Sequence, residues 1–397
     1  MASLLDQLRC VQDVAVEGKR VVVRVDYNVP LADGRVADDS RIRASLPTLK
    51  NILERGGKPI LLSHLGRPEG KVVTALCLDP VAASLRELLG SPVNKLDTCV
   101  GDEVVQAIEE WEPGSVILLE NVRFYPEETA NEAEFARKLA GLGDLFVNDA
   151  FATLHRAHAS TLGIADYLPS YAGFLVQKEI EALARLTDNP EHPYVAIIGG
   201  KKARSKLGTL RDLVDRVDAV LIGGGVAFTF LHAQGHNVGR SIVDESLFDE
   251  IALISEKAEE KGVPIVLPCD AVVAAKLSDS AETAVVRIDD IPVDGIGLDI
   301  GPETIALFRE KIAAARTIMW AGPMGAFEFD PFVAGTREIG QALAESDAFT
   351  VVGGGETGEA VKRLGVVEGI SRISTGGGAC LALLRGKFLP ALEALRD

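Results

Sequence analysis

Arginine, histidine, aspartate and asparagine recur in this sequence just after short apolar runs. Asp26 and Asn28 follow "RVVVRV", His64 and Arg67 follow "PILLS", Arg123 follows "SVILLEN", and His155, Arg156 and His158 come shortly after "DLFVND". Guanidinium groups grip carboxylate or phosphate bidentately, while Asp and Asn take hydroxyls. Such a set suits a small, highly charged anion that carries hydroxyls. In the second half of the chain comparable runs end in glycine: Gly199 and Gly200, Gly223 to Gly225, Gly322, Gly353 to Gly355, and Gly376 to Gly378. Exposed N–H groups at helix N-termini suit a polyphosphate, because glycine lets the ligand approach the backbone and the helix dipole favours negative charge. One half therefore reads as a site for an anionic metabolite and the other as a site for a nucleotide.

Each feature has a plainer explanation when taken alone. A single arginine after a strand is more often a surface ion pair, and a single glycine triplet is more often turn geometry. Their recurrence at strand ends carries the functional reading. His155 and His158 have a spacing that metals use, but no third ligand accompanies them. Gly353, Gly355 and Gly358 spell G-x-G-x-x-G, yet the next strand, "SRIST", ends in Ser374 and Thr375 rather than the acid a dinucleotide ribose requires. No G-x-x-x-x-G-K-[ST] occurs either, so phosphates must be cradled in another way. In "GGKKARSKLG", Lys202 and Lys206 are spaced to share one face of a first helical turn and bracket a phosphate chain.

The elements that must position these residues alternate between short apolar runs and amphipathic stretches, the pattern of β-α repetition around parallel sheets. The second-half strands are "YVAIIGG", "AVLIGGG", "PIVLPCD", "TIMWAGP", "FTVVGGG" and "SRISTGGG". Helical spacing joins Ile42, Leu46, Leu49 and Leu53, and again Phe248, Ile251, Leu253 and Ile254. At 397 residues the chain exceeds the roughly 250–300 at which single cores stop growing, so two domains are expected. "FLVQKEIEALARLTDNPEHP" lies between the halves, helical to Leu186 and then broken by Asp188, Asn189, Pro190 and Pro193, a stiff strut with a hinge. The boundaries this gives are 1–173 for the first domain, 174–189 for the joining helix and 190–386 for the second.

A formal net charge of −17 argues against general affinity for nucleic acid or anionic membrane, so an anionic ligand needs a local basic pocket. The five cysteines are widely separated and read as reduced thiols of a cytoplasmic protein. Asp6, Arg9 and Asp13 stand where a signal peptide needs an apolar core. "AVLIGGGVAFTFL" is apolar but too short to span a membrane.

Taken together, "VVVRVDYNVP", "SHLGRP", "LLENVRF", "VNDAFATLHRAHAS", "IGGGVAFTFL", "GLDIGPET", "GPMGAFE" and "STGGGA" resemble the phosphoglycerate kinase family, in family order and over nearly the whole chain. The resemblance implies two Rossmann-like lobes of the α/β class, each a parallel sheet covered by helices, joined by a helix and hinge, with residues 387–397 returning to the first lobe. It implies that Asp26, Asn28, Arg41, His64, Arg67, Arg123 and Arg156 hold 3-phosphoglycerate or its acyl phosphate. Lys206, Gly297, Glu328 and the turn Gly354, Gly355, Glu356 and Thr357 fall where the family binds ADP or ATP, with Glu328 on the ribose and Glu356 toward Mg2+. Arg41, Lys202, Gly355 and Gly377 fall where the phosphoryl group is stabilised in flight. A monomer is expected. Three positions depart from the family pattern: Glu356 replaces the usual Asp, Ala321 the usual Asn, and "GGKKARSK" the usual "GGAKVSDK".

Phosphoryl transfer between 1,3-bisphosphoglycerate and ADP needs no general base, because the attacking oxygen is already anionic. It needs cations and N–H groups around the transferring oxygens, and with one ligand per lobe it needs hinge closure. A nicotinamide-dependent dehydrogenase shares the alternating architecture but lacks here its acidic ribose partner. A two-lobed periplasmic anion-binding protein shares the charged cleft but calls for a secretion signal. A family member inactivated at Ala321 and Glu356 is the third alternative.

Overall fold

The structure, a computed structural model, describes residues 7–396. Asp6, part of the charged N-terminal stretch, lies outside them. The described residues up to Ala184, together with those from Phe388, form one compact unit, and Arg185–Lys387 form the second.

The first unit is built on six strands: β1 (Arg20–Arg24), β2 (Lys58–Leu62), β3 (Val93–Lys95), β4 (Val116–Leu118), β5 (Leu145–Asn148) and β6 (Ser170–Ala172). They pair in the order β3-β4-β2-β1-β5-β6, every pair parallel. The unbroken valines of β1 follow from burial on both faces, since successive side chains of a strand point to opposite sides. Val21 and Val23 enter one apolar cluster with Leu61, Leu145 and Val147. Val22 enters the other with Ile60 and Phe146. The order of the strands reverses at β1, so the crevice beyond its carboxyl end is the expected place for a ligand.

Helix α1 (Ser40–Glu54) buries Ile42, Leu49 and Ile52 beneath this sheet and brings Arg41 to the strand ends. Helix α2 (Phe174–Thr187) forms over the helical stretch expected between the halves. Its start is tied down by Asp149, which accepts the Leu175 N–H at 2.8 Å, and by Thr48, which accepts that of Phe174 at 2.9 Å.

The second unit repeats the plan with β7 (Tyr194–Ile198), β8 (Ala219–Ile222), β9 (Ile265–Val266), β13 (Thr317–Ala321), β14 (Phe349–Val352) and β15 (Arg372–Ile373), ordered β9-β8-β7-β13-β14-β15 and wholly parallel. Helices α3 (Arg204–Leu213), α4 (Gly224–Ala233), α5 (Phe248–Lys261), α6 (Gly355–Arg363) and α7 (Gly377–Leu384) cover it. All five glycine-bearing ends therefore lie along one edge of a single sheet.

Some elements differ from the sequence expectation. An antiparallel sheet of β10 (Asp270–Ala274), β11 (Thr283–Arg287) and β12 (Ile296–Ile300), ordered β11-β10-β12, interrupts the β-α alternation. "PIVLPCD" yields only the two residues of β9 before β10 begins. In α5, Ile251 and Ile254 are buried, but Leu253 points outward and is 61% exposed, because it falls off the face those two define. No helix among the described residues is long and apolar enough to cross a membrane.

Candidate functional site

In the first unit, the chain leaving β1 places Asp26 in a nearly closed position, where its carboxylate pairs with the Arg41 guanidinium and accepts the Asn28 N–H at 3.1 Å. The Asn28 side chain then accepts the Gly66 N–H at 2.8 Å, and the Gly66 carbonyl accepts from Arg123 Nη1 at 2.7 Å. His64 Nδ1 lies 3.9 Å from Asp26. Thus Asp26, Asn28, Arg41 and Arg123 form one hydrogen-bonded neighbourhood through Gly66, with the His64 ring beside it. Arg156 acts on both His64 and Arg123 through its charge. Arg67 follows Gly66 on the exposed side of the same turn.

The cations here are crowded. Burial, then the charges of Arg156 and Arg24, pushes the Arg123 guanidinium down to about 10, with Glu128 and Asp26 offsetting part of the shift. Burial first, and then Arg24, Arg123, Arg41 and Arg156, hold His64 well below the usual histidine range, so its ring is neutral. A set of cations that penalise one another is poised for an anion.

Arg24 is the member that sequence reasoning missed. Its side chain is wholly buried at the end of β1, where Nε donates to Ser160 Oγ at 2.8 Å and Nη2 lies 3.1 Å from His64 Nδ1. A guanidinium has no acceptor, so His64 Nδ1 accepts and the ring proton sits on Nε2. That leaves His64 a neutral N–H donor for a ligand oxygen. Removing a charge from water costs several kcal/mol unless it is compensated, and the signal for Arg24 was available as the charged residue inside "RVVVRV". Glu128, wholly buried and bonded to Ser160, had no such signal.

His155 and His158 are not joined in a metal set. Among the described residues, the group of ligating side chains close enough for a metal is Cys77, Asp79 and Glu120. The Lys95 ammonium already sits there, 2.7 Å from Glu120 and 3.1 Å from Asp79. None of the five cysteines is joined in a disulfide.

In the second unit, a pocket of about 570 Å³ opens beside the glycine-bearing strand ends, with Gly200, Gly224, Gly297, Glu328 and Glu356 in its wall. One end is polar: Lys206 Nζ stands 3.9 Å from Glu356 Oε2. Lys206 is largely buried, and burial lowers its pKa, Glu356 opposing the shift and Lys202 adding to it. The other end is apolar, with Leu298 and the Phe228 ring, which lies so close to Gly297 that any side chain there would strike it. Phe228 escaped the sequence reading, although it stands one helical turn after Gly224.

Lys202 differs from its expected placement. Helix α3 begins at Arg204, so Lys202 lies in the exposed turn before it, and its link to Lys206 is electrostatic rather than a shared helical face.

The turn into α6 separates fold requirements from ligand requirements. A Cβ on Gly353 would lie 2.7 Å from Met319 Cε, and Gly354 holds φ +104°, so both need glycine for structural reasons. Gly355 has neither constraint: a Cβ there would meet nothing within 4 Å. The N–H groups of Gly355, Glu356 and Thr357 open the helix without intrahelical partners, and no side chain caps them. Thr357 Oγ1 accepts the Gly322 N–H at 2.7 Å and donates to the Gly353 carbonyl at 3.1 Å, tying the ends of β13 and β14 together. Gly377 packs against this turn, its Cβ position 2.7 Å from Gly354 Cα.

These features have close parallels among known proteins. A family model described as phosphoglycerate kinase matches residues 11–387. The phosphoglycerate kinase of Dictyoglomus turgidum is 51% identical over 387 residues, 97% of this chain and 98% of that protein. The phosphoglycerate kinase of Pelotomaculum thermopropionicum is 50% identical over 389 residues, 98% and 99% of the two chains. The solved structure of phosphoglycerate kinase from Coxiella burnetii matches with a TM-score of 0.86 and 41% identity, covering 98% of each chain.

Proposed function

The chain belongs to the phosphoglycerate kinase family, and from that premise we propose how its two half-sites divide the work. The activity is reversible transfer of a phosphoryl group from 1,3-bisphosphoglycerate to ADP, giving 3-phosphoglycerate and ATP, a step of glycolysis and gluconeogenesis.

Asp26, Asn28, His64, Arg67, Arg123 and Arg156 bind the phosphoglycerate. The carrying observation is the packed group of arginines around a neutral His64, a cluster whose mutual repulsion an anion relieves. Asp26 and Asn28 are the acceptors available for the ligand hydroxyl. In the second unit, Lys206, Gly297, Glu328 and the turn Gly354 to Thr357 bind ADP or ATP: the base lies toward Phe228 and Gly297, the ribose toward Glu328, and the phosphates toward the free N–H groups of α6.

Glu356 suits Mg2+. Its carboxylate is half-exposed beside the pocket, with Lys206 3.9 Å away, and Mg2+ takes few protein ligands, keeping water and substrate phosphate for the rest. When bound, Mg2+ neutralises charge on the nucleotide phosphates. Arg41, Lys202 and the Gly355 and Gly377 N–H groups stabilise the oxygens of the phosphoryl group in flight. No residue has to remove a proton, because carboxylate and phosphate oxygens attack as anions.

A monomer is the proposed working unit. Five cysteines with no disulfide among them support a reducing, cytoplasmic setting. A coupled assay with Mg-ATP and 3-phosphoglycerate tests the division of labour. Arg123→Ala is expected to raise KM for 3-phosphoglycerate alone, and Lys206→Ala to raise KM for ATP alone. Crossed effects would overturn the assignment.

A further inference from the structure

Beneath the phosphoglycerate half-site lies a chain of directional hydrogen bonds that ends at His64. It starts at Glu128, on the short helix Pro126–Ala130, whose side chain is wholly buried. Glu128 Oε2 accepts the Ser160 N–H at 2.8 Å, and Oε1 accepts the Ser160 hydroxyl at 2.7 Å. Ser160 Oγ then accepts from Arg24 Nε at 2.8 Å, and Arg24 Nη2 reaches His64 Nδ1 at 3.1 Å. His158 Nδ1 stands 3.6 Å from Glu128 Oε1, and the Glu128 carbonyl accepts the Ala159 N–H at 2.9 Å.

The direction of each link is forced. An ionised carboxylate only accepts, so the Ser160 hydroxyl proton must point to Glu128. That frees the Ser160 oxygen to accept from Arg24. A guanidinium only donates, so both Ser160 and His64 must accept from it. The last consequence is that the His64 ring proton resides on Nε2. Burial on its own would raise the pKa of Glu128, but His158, the Arg24 charge and the two Ser160 bonds bring it below the usual carboxylate range, so it is ionised at neutral pH.

We propose that Glu128 is a positioning residue for the phosphoryl-acceptor half-site: acting through Ser160 and Arg24, it fixes His64 as a neutral Nε2–H donor to the bound anion. This rests on reading that cluster as the phosphoglycerate site. Glutamine at this position keeps the shape but offers one acceptor where Ser160 requires two, so the hydroxyl loses its set direction and Arg24 loses both an anchor and its buried counter-charge. Hydrogen bonds to charged groups of this kind correspond to about 10- to 100-fold in an equilibrium constant.

The test uses Glu128→Gln and Ser160→Ala in the full-length enzyme, with KM measured for 3-phosphoglycerate and for ATP, and with 15N-histidine NMR reporting the His64 tautomer. Both variants are expected to raise KM for 3-phosphoglycerate about 10- to 100-fold, leave KM for ATP within about twofold, and convert His64 from a pure Nε2–H form to a mixture. A purely structural role would lower thermal stability without separating the two substrates or moving the tautomer. Ser160→Ala changes no charge and decides the matter if Glu128→Gln fails to fold. Unchanged KM for 3-phosphoglycerate, equal rises for both substrates, or an unchanged His64 spectrum would overturn the proposal. Arg123→Ala serves as the control: if it too leaves KM for 3-phosphoglycerate unaltered, the half-site reading fails and takes this proposal with it. If Arg123→Ala raises that KM and the other two variants do not, only the role of Glu128 is lost.

Discussion

Replacing Gly355 by alanine asks whether a phosphate approaches the turn into α6. Packing does not demand glycine there, since a Cβ would find no atom within 4 Å, and the backbone does not demand it either, because the positive φ of the turn belongs to Gly354. Gly355 is the first residue of α6, where alanine is favoured over glycine by up to about 1 kcal/mol. The unfolding midpoint is therefore expected to stay level or rise by about 1–3 °C. Binding should move the other way. A methyl group at Gly355 obstructs the approach of a phosphate oxygen to the free N–H groups, and a hydrogen bond to a charged acceptor contributes about 1.5–3 kcal/mol. The Kd for Mg-ADP is thus expected to rise about 10- to 100-fold. Titration calorimetry and thermal denaturation of the same variant measure both quantities. Gly353→Ala is the contrast, because its Cβ would press within 2.7 Å of Met319 Cε and 3.2 Å of Cys380 Sγ, an overpacking that costs about 1–3 kcal/mol of stability. If Gly355→Ala binds Mg-ADP like the parent, or unfolds as readily as Gly353→Ala, the glycines of this turn serve the fold alone and the phosphate must sit elsewhere.

Three further outcomes follow from the same reasoning. Arg41→Ala is expected to cut kcat on the order of 10²- to 10³-fold while changing 3-phosphoglycerate affinity little; near-normal turnover would remove Arg41 from the transfer step. Asp299, buried in β12 and accepting the Ile300 and Gly335 N–H groups at 2.9 and 2.7 Å, is pushed up to about 8 by burial, its two hydrogen bonds opposing the shift. Its unfolded value is about 3.9, so the folded state holds the extra proton and the contribution of Asp299 to stability is lost as pH rises from about 4 to 8. Asp299→Asn should therefore gain stability relative to the parent across that window, by urea denaturation, and a difference independent of pH would refute the shift. Finally, in-line transfer requires both ligands within reach, so small-angle scattering should show more compaction with 3-phosphoglycerate and a non-hydrolysable ATP analogue together than with either alone.

Much of the fold was written in the sequence because parallel strands buried on both faces have apolar runs at their centres, as Val21, Val22 and Val23 of "RVVVRV" and Val351 and Val352 of "FTVVGGG" show. What escaped had weaker physics behind it. β3, "VNK", offers one buried residue, Val93, and gains its place from pairing with β4 rather than from its own composition. β11 lies largely exposed, so no burial shaped its pattern. Leu253 sits beside two core residues in sequence yet faces solvent, since helical periodicity sets a face only to within about one residue's turn.

The candidate site was legible to the extent that its residues stand directly on strand ends. Topology brings those ends to one edge of each sheet, so Asp26, His64 and Arg123 converge without any further sequence signal. The supporting layer is different. Arg24 advertises itself, because a guanidinium inside an apolar strand implies a buried partner, but nothing local says which residue answers. The answer comes from Ser160 and, behind it, Glu128, two segments that meet β1 only after the sheet is assembled. Glu128 stands beside a second acid, Glu127, in "YPEETAN", and the two are indistinguishable by type. Its distinction is burial, a property of the completed lobe. Residues that touch a ligand are thus marked by chemistry and position along the chain, whereas those that aim them are marked only by the three-dimensional direction of each hydrogen bond.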